Sequence, residues 1–201
     1  MKLRFTLMAA VACVAISGTA NAVPITGQIS LNGFAQAVGS TSMGAATGIS
    51  FANAGGTSVT GTSGLLSNYG AGSGSFASLG SCASVTTGCG TIQNIASFTA
   101  TGGISQFLTL ATTNGSTISF DLTSITNVLR PGSDQIGFLA NGFINYSGFD
   151  RTAGTFSLTA QGDNITSFSA TTLAANVAEP TSMAVLGGSL AAIGLIRRKK
   201  A

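Results

Sequence analysis

The sequence predicts an all-β protein: a single jelly-roll-like β-sandwich domain with an N-terminal signal helix before it and a C-terminal transmembrane helix after it. Three observations support this prediction. Apolar residues alternate with polar ones in several short segments, as in strands that have one buried face. Glycine, serine and threonine separate these segments, and an Asn114-Gly115 pair stands between two β-rich arms. The two strongly apolar segments lie near the ends of the chain, which places the β domain at 23–176.

The first segment has the composition of a secretory signal peptide. Two cations near its start precede an apolar stretch over 5–16, and the segment ends with the small residues Ala20 and Ala22. We therefore expect export through the Sec machinery and cleavage by signal peptidase between Ala22 and Val23. An alternative is lipoprotein processing at Cys13, although the residues before it match a lipobox only loosely because the expected leucine is absent.

The central domain is nearly uncharged and slightly acidic. The whole chain has a formal net charge of +3, but most of its cations belong to the two terminal segments. Residues 23–176 contain two arginines and four aspartates, which gives a net charge of −2. Nucleic-acid binding needs a basic patch that neutralises phosphates, and no such patch remains in this region. The sequence therefore predicts no nucleic-acid partner.

The first half of the domain, 23–90, consists mainly of glycine, alanine, serine and threonine, with single large apolar residues between them. Disordered segments are usually highly charged, whereas this one contains no Asp, Glu, Lys, Arg or His. Ile25, Ile29 and Leu31 alternate with polar residues at the spacing of a strand. We expect short strands joined by glycine-containing turns.

Cys82 and Cys89 are the only cysteines that follow the predicted signal peptide. In an oxidising compartment outside the cytoplasm, a pair this close in sequence predicts a disulfide bond that closes a short loop. Such a bond stabilises a fold by about 2–3 kcal/mol. A zinc site would need further ligands, and the chain has no histidine. Two free structural thiols are the remaining interpretation.

The clearest local structure is a β-hairpin over 107–122. Asn114 and Gly115 provide the two positive-φ positions of a type I′ turn. A two-residue loop fixes the register of the arms, so the predicted facing pairs are Ala111 with Ile118, Thr109 with Phe120 and Phe107 with Leu122 on one side, and Leu110 with Ser119 and Leu108 with Asp121 on the other. Apolar residues then lie on both sides, which favours a position inside a sandwich.

The second half of the domain predicts three further strands, at about 137–146, 155–161 and 165–172. In the last two, apolar residues alternate with serine and threonine. Asp150 lies in the connection between the first two strands. There we expect its carboxylate to hold the turn by bonding nearby backbone.

The sequence does not contain the residues of a familiar catalytic site. Without histidine the usual Ser-His-Asp and Cys-His arrangements cannot be assembled, and no serine stands in a complete Gly-x-Ser-x-Gly sequence. The aspartates are spread along the chain, whereas glycosidases need two carboxylates close together. A calcium site built from Asp134, Asp150 or Asp163 with backbone carbonyls stays an alternative. We otherwise predict no catalytic residue, no cofactor and no metal ligand.

The last segment, 177–201, has three consecutive parts. Pro180 favours an extended entry into the apolar run at 181–196. As a helix this run would be about 24 Å long, enough to span a bilayer that thins locally. Four adjacent cations follow, and they should keep the C-terminus in the cytoplasm: Arg197, Arg198, Lys199 and Lys200.

The residues before the apolar run, Val177, Ala178, Glu179 and Pro180, together with the glycines of the run and the basic tail, resemble the PEP-CTERM sorting signal, also labelled the ice-binding protein C-terminal domain. The usual form begins Val-Pro-Glu-Pro, and Ala178 stands where the first proline is usual. The resemblance covers about the last 25 residues. It implies a bacterium that makes exopolysaccharide and an exosortase-type membrane enzyme that reads the Glu-Pro region, so that the membrane anchors the chain only transiently.

Two classes of function agree with these features. The first is an exported, non-catalytic cell-surface or extracellular-matrix protein with a structural or adhesive role, associated with exopolysaccharide. The second is a secreted carbohydrate-binding module. Such a module stacks sugars on exposed aromatic rings, and this chain has no tryptophan and only Tyr69 and Tyr146 as tyrosines.

Overall fold

The computed structural model describes residues 23–59, 61–99, 102–111 and 115–175. The predicted signal peptide and the predicted sorting signal, with its helix at 181–196, lie outside these residues. Within them, no helix is long and apolar enough to cross a membrane.

The described chain is built mainly of β-strands. Two 3-10 turns, Met43–Ala45 and Gly74–Leu79, are its helical elements. The strands are β1 (Val23–Pro24), β2 (Gln28–Val38), β3 (Gly48–Phe51), β4 (Ser63–Tyr69), β5 (Cys82–Ala83), β6 (Gly90–Gln93), β7 (Ile104–Ala111), β8 (Thr117–Leu129), β9 (Gln135–Tyr146), β10 (Phe149–Asp150), β11 (Thr152–Gln161) and β12 (Ile165–Ala174).

Eight of these strands form a closed antiparallel barrel. Strands β2, β12, β11, β9, β8, β7, β6 and β4 are neighbours in that order, and β4 pairs again with β2. Strand β3 lies beside β2 and β5 beside β4, while β1 and β10 form a separate parallel pair. The all-β prediction is confirmed. The jelly-roll-like sandwich is wrong, because the sheet closes on itself into a barrel.

Closure depends on β2, which has strands on both of its edges. One edge pairs with β12 over 28–36. The other edge pairs with β4 over 31–33 and then with β3 over 35–38. A sandwich and a barrel show the same alternation of buried and exposed residues along each strand. The sequence pattern therefore could not distinguish them, since the distinction lies in the long-range pairing of β2 with β4.

The interior of the barrel is filled with phenylalanine rings. The rings form a continuous set of edge and tilted contacts, with centroids as close as 5.1 Å, and they belong to Phe51, Phe107, Phe120, Phe138, Phe156 and Phe168. Glycines make room for them: a Cβ atom at Gly142 would overlap the Phe120 ring, and one at Gly33 would overlap the Phe168 ring. Fully burying a phenylalanine stabilises the fold by roughly 1.5–3 kcal/mol, so this cluster dominates the core.

The hairpin of β7 and β8 is present, but its register differs by one residue from the predicted one. The observed pairs are Leu108 with Phe120, Thr109 with Ser119, Leu110 with Ile118 and Ala111 with Thr117. This register brings the four large apolar residues of these pairs together on the buried side, whereas the predicted register divided them between two faces. The pairing predicted from a two-residue loop is therefore wrong, because burial of one face determines the register.

The strands predicted in the second half are confirmed. They correspond to β9, β11 and β12, which begin and end within about three residues of the predicted bounds. Phe156 and Leu158 point inward from β11, as do Phe168 and Ala170 from β12. Alternation with serine and threonine was a sufficient signal here, because the inward positions are almost all apolar.

The two ends of the barrel differ in what they contain. One end, here called the terminal end, holds both ends of the described domain: Val23 pairs with Phe149, and the Ala174 N–H donates to the Gly27 carbonyl over 3.0 Å. The opposite end, here called the distal end, consists of the connections at 39–47, 130–134 and 162–164. These connections are tied together by hydrogen bonds, among them one of 2.8 Å from the N–H of residue 162 to the carbonyl of residue 134.

Candidate functional site

An open groove of about 580 Å³ lies on the outside of the barrel at its terminal end. We call it the terminal groove. Its walls come from the start of β8, the end of β9 and the turn into β11. The side chains that give it its chemistry are those of Thr117, Ser119, Asn145, Tyr146, Phe149 and Arg151. Hydroxyl, amide, aromatic and guanidinium groups thus converge on one site.

A hydrogen-bonded network lies beside the groove. The Arg151 guanidinium donates to Asp121 Oδ2 over 3.2 Å, and the Asn145 amide donates to the same oxygen over 3.0 Å. The Gln106 backbone N–H donates to Asp121 Oδ1 over 2.9 Å. Asp121 therefore accepts bonds on both carboxylate oxygens, and it fixes two of the polar side chains that line the groove.

The local fold of β7 explains why Asp121 has a backbone donor. The pairing of β7 with β8 shifts between Ile104 and Leu108, so β7 contains a bulge. Within the bulge, Gln106 has a φ of 49°, a left-handed conformation that non-glycine residues seldom adopt. The bulge turns the Gln106 N–H toward the carboxylate of Asp121. An irregular strand and a charged partner are therefore parts of the same local arrangement.

The environment of Asp121 favours its charged form. Burial raises the pKa of its carboxyl, but the hydrogen bonds from Gln106, Asn145 and Arg151 and the charge of Arg151 outweigh burial and hold the pKa below its ordinary value. Asp121 therefore carries a full negative charge at neutral pH and pairs with the positive charge of Arg151.

Arg151 keeps much of its hydrogen-bonding capacity. Its guanidinium lies over the Phe143 ring, 4.0 Å from the centroid, and its side chain is 55% exposed. The bond to Asp121 is the one hydrogen bond that this guanidinium makes with the described residues. A guanidinium has five N–H donors. Arg151 is therefore oriented by a ring and a carboxylate while most of its donors remain available.

Two aromatic rings form part of the groove wall. Tyr146 and Phe149 are stacked, with centroids 4.9 Å apart and planes only 10° from parallel. Both are partly buried, and the Tyr146 hydroxyl shares a hydrogen bond of 3.1 Å with the Ser78 hydroxyl. Stacking and this bond hold the rings in place, so the groove has a rigid apolar patch beside its polar groups.

The three aspartates of the alternative calcium site do not all lie at the same end of the barrel. Asp134 and Asp163 belong to connections at the distal end, and Asp150 lies in β10 at the terminal end. Among the described residues, no group of three His, Cys, Asp or Glu side chains comes together. In the Asp150 turn the Thr152 hydroxyl donates to the Asp150 backbone carbonyl over 2.8 Å. The Asp150 carboxylate, which we expected to hold the turn, makes no hydrogen bond with the described residues.

The predicted disulfide between Cys82 and Cys89 is present, with the two Cα atoms 5.7 Å apart. The backbone N–H of Cys89 donates to the Leu66 carbonyl, and Cys82 pairs with Tyr69 of β4. The disulfide therefore fastens a loop of the terminal end to the barrel wall.

The targeting residues predicted at the two ends of the chain lie outside the described residues, with one exception. Val23, predicted as the first residue after signal cleavage, begins β1. The other residues predicted for cleavage, sorting and the basic stop are Ala20, Ala22, Val177, Ala178, Glu179, Pro180, Arg197, Arg198, Lys199 and Lys200. Those predictions remain predictions.

Sequence reasoning missed the Asp121 network. The predicted register placed Asp121 opposite Leu108, with no polar partner. Two signals were available: Asp121 is a charged residue within a predicted strand, and Arg151 is one of only two arginines in 23–176. An isolated charge in an uncharged β domain usually has a partner, so the pair could have been sought.

Comparisons of the chain with protein-family models, with curated proteins and with solved structures found no match.

Proposed function

We propose that this protein is an exported, non-catalytic component of the cell surface or extracellular matrix, with a structural or adhesive role. The observation that carries the proposal is the position of the two ends of the described domain. Val23 and Ala175 both lie at the terminal end, where Val23 pairs with Phe149 and the Ala175 N–H donates to the Ala153 carbonyl over 2.9 Å.

This arrangement suits a domain that is held at one end and presented to its surroundings. Five residues, 176–180, separate the described domain from the predicted membrane helix. Even fully extended they reach only about 17 Å. A chain anchored by that helix would keep its terminal end near the bilayer and expose its distal end and wall. The disulfide agrees with an oxidising location, and the sorting-signal resemblance supplies the proposed route.

Cell fractionation tests the proposal. The full-length chain is compared with a variant that ends at Asn176. We expect both to lose residues 1–22; the full-length chain should accumulate in the envelope or matrix and the shortened one in the medium. Recovery of the full-length chain from the cytosol, with Cys82 and Cys89 as free thiols, would contradict the proposal.

A second candidate function is that of a secreted carbohydrate-binding module. The observation that favours it is the terminal groove, where the stacked rings of Tyr146 and Phe149 lie beside amide and guanidinium groups. Protein sites for sugars commonly combine an aromatic surface with planar hydrogen-bonding side chains.

A further inference from the structure

We propose that the terminal groove binds a carboxylate-bearing carbohydrate, such as a run of uronic acid units in an acidic polysaccharide. The inference rests on the second candidate function and names its site and ligand class. The arrangement that carries it is the exposed edge of Arg151 in a groove whose other groups are hydroxyls, an amide and two aromatic rings.

The groove contains polar groups that a ligand can reach. The Asn145 amide nitrogen is bound to Asp121, and its carbonyl oxygen has no hydrogen-bond partner among the described residues. The Ser119 hydroxyl likewise makes no hydrogen bond within the described residues, although its backbone pairs with Thr109 and Asn145. The Asn145 side chain and the Ser119 backbone are thus held in place, while the Asn145 carbonyl oxygen and the Ser119 hydroxyl can still form hydrogen bonds. Sugar hydroxyls, which both donate and accept, match such a surface.

The groove has a positive charge at one point of its lining. Arg151 is the charged side chain of the groove lining, and its partner Asp121 lies behind it, 22% exposed, with both oxygens occupied. Asp121 orients the guanidinium but leaves its other edge open. A planar guanidinium edge binds a carboxylate by donating two parallel hydrogen bonds to its oxygens. The lining thus favours an anionic group at one point and neutral polar groups elsewhere.

A small apolar patch lies beside these polar groups. Tyr146 and Phe149 line the groove with partly exposed rings. The C–H face of a pyranose ring can pack against an aromatic surface. The patch is small and the rest of the lining is polar, so a sugar fits better than a lipid chain or an apolar peptide. A polysaccharide can also run along an open groove, since only one or two of its units need to enter.

Titration of the full-length protein, recovered from the cells that produce it, tests the proposal. The probes are an oligogalacturonate, the same oligosaccharide with its carboxylates methyl-esterified, and acetate. We expect the oligogalacturonate to bind at least tenfold more tightly than its ester, with NMR shift changes at Asn145 and Arg151. Acetate should bind more weakly still.

Four variants sharpen the test. Arg151→Ala should weaken oligogalacturonate binding at least tenfold, and Arg151→Lys should recover part of it because charge remains but the planar edge is lost. Ser119→Leu should block the groove without touching the Asp121 network. Arg130→Lys, at the distal end, is the matched control and should bind normally. Thermal unfolding of each variant shows that it is folded.

Several results would overturn the proposal: no binding, equal binding of the oligogalacturonate and its ester, equal binding of acetate, or unchanged affinity in folded Arg151→Ala and Ser119→Leu. The result of the titration is independent of export, because fractionation measures where the protein is located and titration measures binding at the terminal groove. A protein that is exported but does not bind acidic sugars would retain the first proposed function and lose this one.

Discussion

The two ends of the barrel each carry one arginine, and the two arginines differ in how their donors are used. Arg130, at the distal end, donates to the backbone carbonyls of Gly44 over 2.6 Å and Ala46 over 2.5 Å, with a longer contact of 3.5 Å to Met43. Its guanidinium also lies 5.8 Å from the Phe98 ring centroid. Arg151, at the terminal end, makes one hydrogen bond with the described residues, to the Asp121 carboxylate.

This difference distinguishes an arginine that stabilises the fold from one that can bind a ligand. Arg130 satisfies carbonyls of a 3-10 turn and so closes the distal end. Arg151 is oriented by Asp121 and Phe143, and its other donors, beside the groove, have no acceptor among the described residues. Residue type and exposure alone would not distinguish them, since both residues are exposed. The identity of the acceptors distinguishes them. Arg130 donates to backbone carbonyls and so holds the distal end of the barrel closed. Arg151 forms one ion pair that orients it at a groove, which indicates a role in binding a ligand.

The largest expected effect tests whether the two ends belong to one cooperative unit. Phe156 is fully buried between the rings of Phe107, Phe120 and Phe138. Phe156→Ala should lower the free energy of unfolding by about 3–5 kcal/mol, because it removes a large side chain and leaves a cavity. Hydrogen exchange at both ends should accelerate together. Thr155→Ala, on the outer face of the same strand, should change the free energy by less than about 0.5 kcal/mol.

If exchange at one end stayed at the wild-type rate in Phe156→Ala, the ends would be independent units. The comparison between them would then concern two separate folding regions.

The second prediction concerns the arginines themselves. Arg130→Ala should lower the free energy of unfolding by about 2 kcal/mol, because charged hydrogen bonds to the carbonyls of Gly44 and Ala46 are lost. Arg151→Ala should cost less than about 1 kcal/mol, since it breaks one exposed ion pair. Denaturant unfolding of both variants measures the difference. If both variants lowered the free energy of unfolding equally, the conclusion that Arg130 closes the distal end would be wrong.

A third, smaller effect compares two buried threonines that point into the barrel. Thr152 accepts the Ile25 N–H over 2.8 Å, whereas the Thr172 hydroxyl has no hydrogen-bond partner among the described residues. Thr152→Val should therefore lower the free energy of unfolding by about 1–2 kcal/mol, because a buried N–H loses its acceptor. Thr172→Val should raise it by up to about 1 kcal/mol. Scanning calorimetry of the two variants measures both changes, and effects of the same sign would contradict the hydrogen-bond assignment.

The fourth prediction concerns pH at the terminal end. The folded-state pKa of Asp121 lies below its ordinary value of 3.8 because the hydrogen bonds from Gln106, Asn145 and Arg151 and the charge of Arg151 outweigh burial. A depressed folded pKa means that Asp121 contributes stability above the unfolded pKa and loses it as pH falls through the folded pKa. The stability difference between the wild type and Asp121→Asn, about 1 kcal/mol at neutral pH, should therefore shrink below about pH 4.

Unfolding of the two proteins is measured between pH 2 and 7. Asp134→Asn, at the distal end, is the matched control, because from the described residues the Asp134 carboxylate accepts one long hydrogen bond, of 3.4 Å from Gln161. A difference between wild type and Asp121→Asn that stays constant across this range would contradict the account of the network.

The sequence predicted the strands better than it predicted their partners. Alternation located β9, β11 and β12, and cysteine spacing predicted the disulfide, because both signals are local. Closure of the barrel depends on Leu31 lying opposite Tyr69, which are far apart in sequence, so no local pattern reports it.

The candidate site was less predictable for a related reason. Asp121, Asn145 and Arg151 meet only when β8 and β9 pair in the observed register. The sequence analysis paired β8 with β7 alone and gave it no register against β9, so it did not bring Asp121 together with Asn145 and Arg151. A local turn signal at residues 114–115 was outweighed by burial of Phe120 and its neighbours, which is a tertiary effect.

We propose that the terminal end of the barrel lies next to both the signal-cleavage site and the membrane anchor. Intact-mass analysis of the protein from the envelope and the medium tests this most directly. We predict a chain that begins at Val23, lacks the cations at 197–200 in its mature form and is lighter by the two thiol hydrogens of Cys82 and Cys89. A mature extracellular chain that retains those cations, or a reduced chain in the cytosol that still begins at Met1, would contradict it.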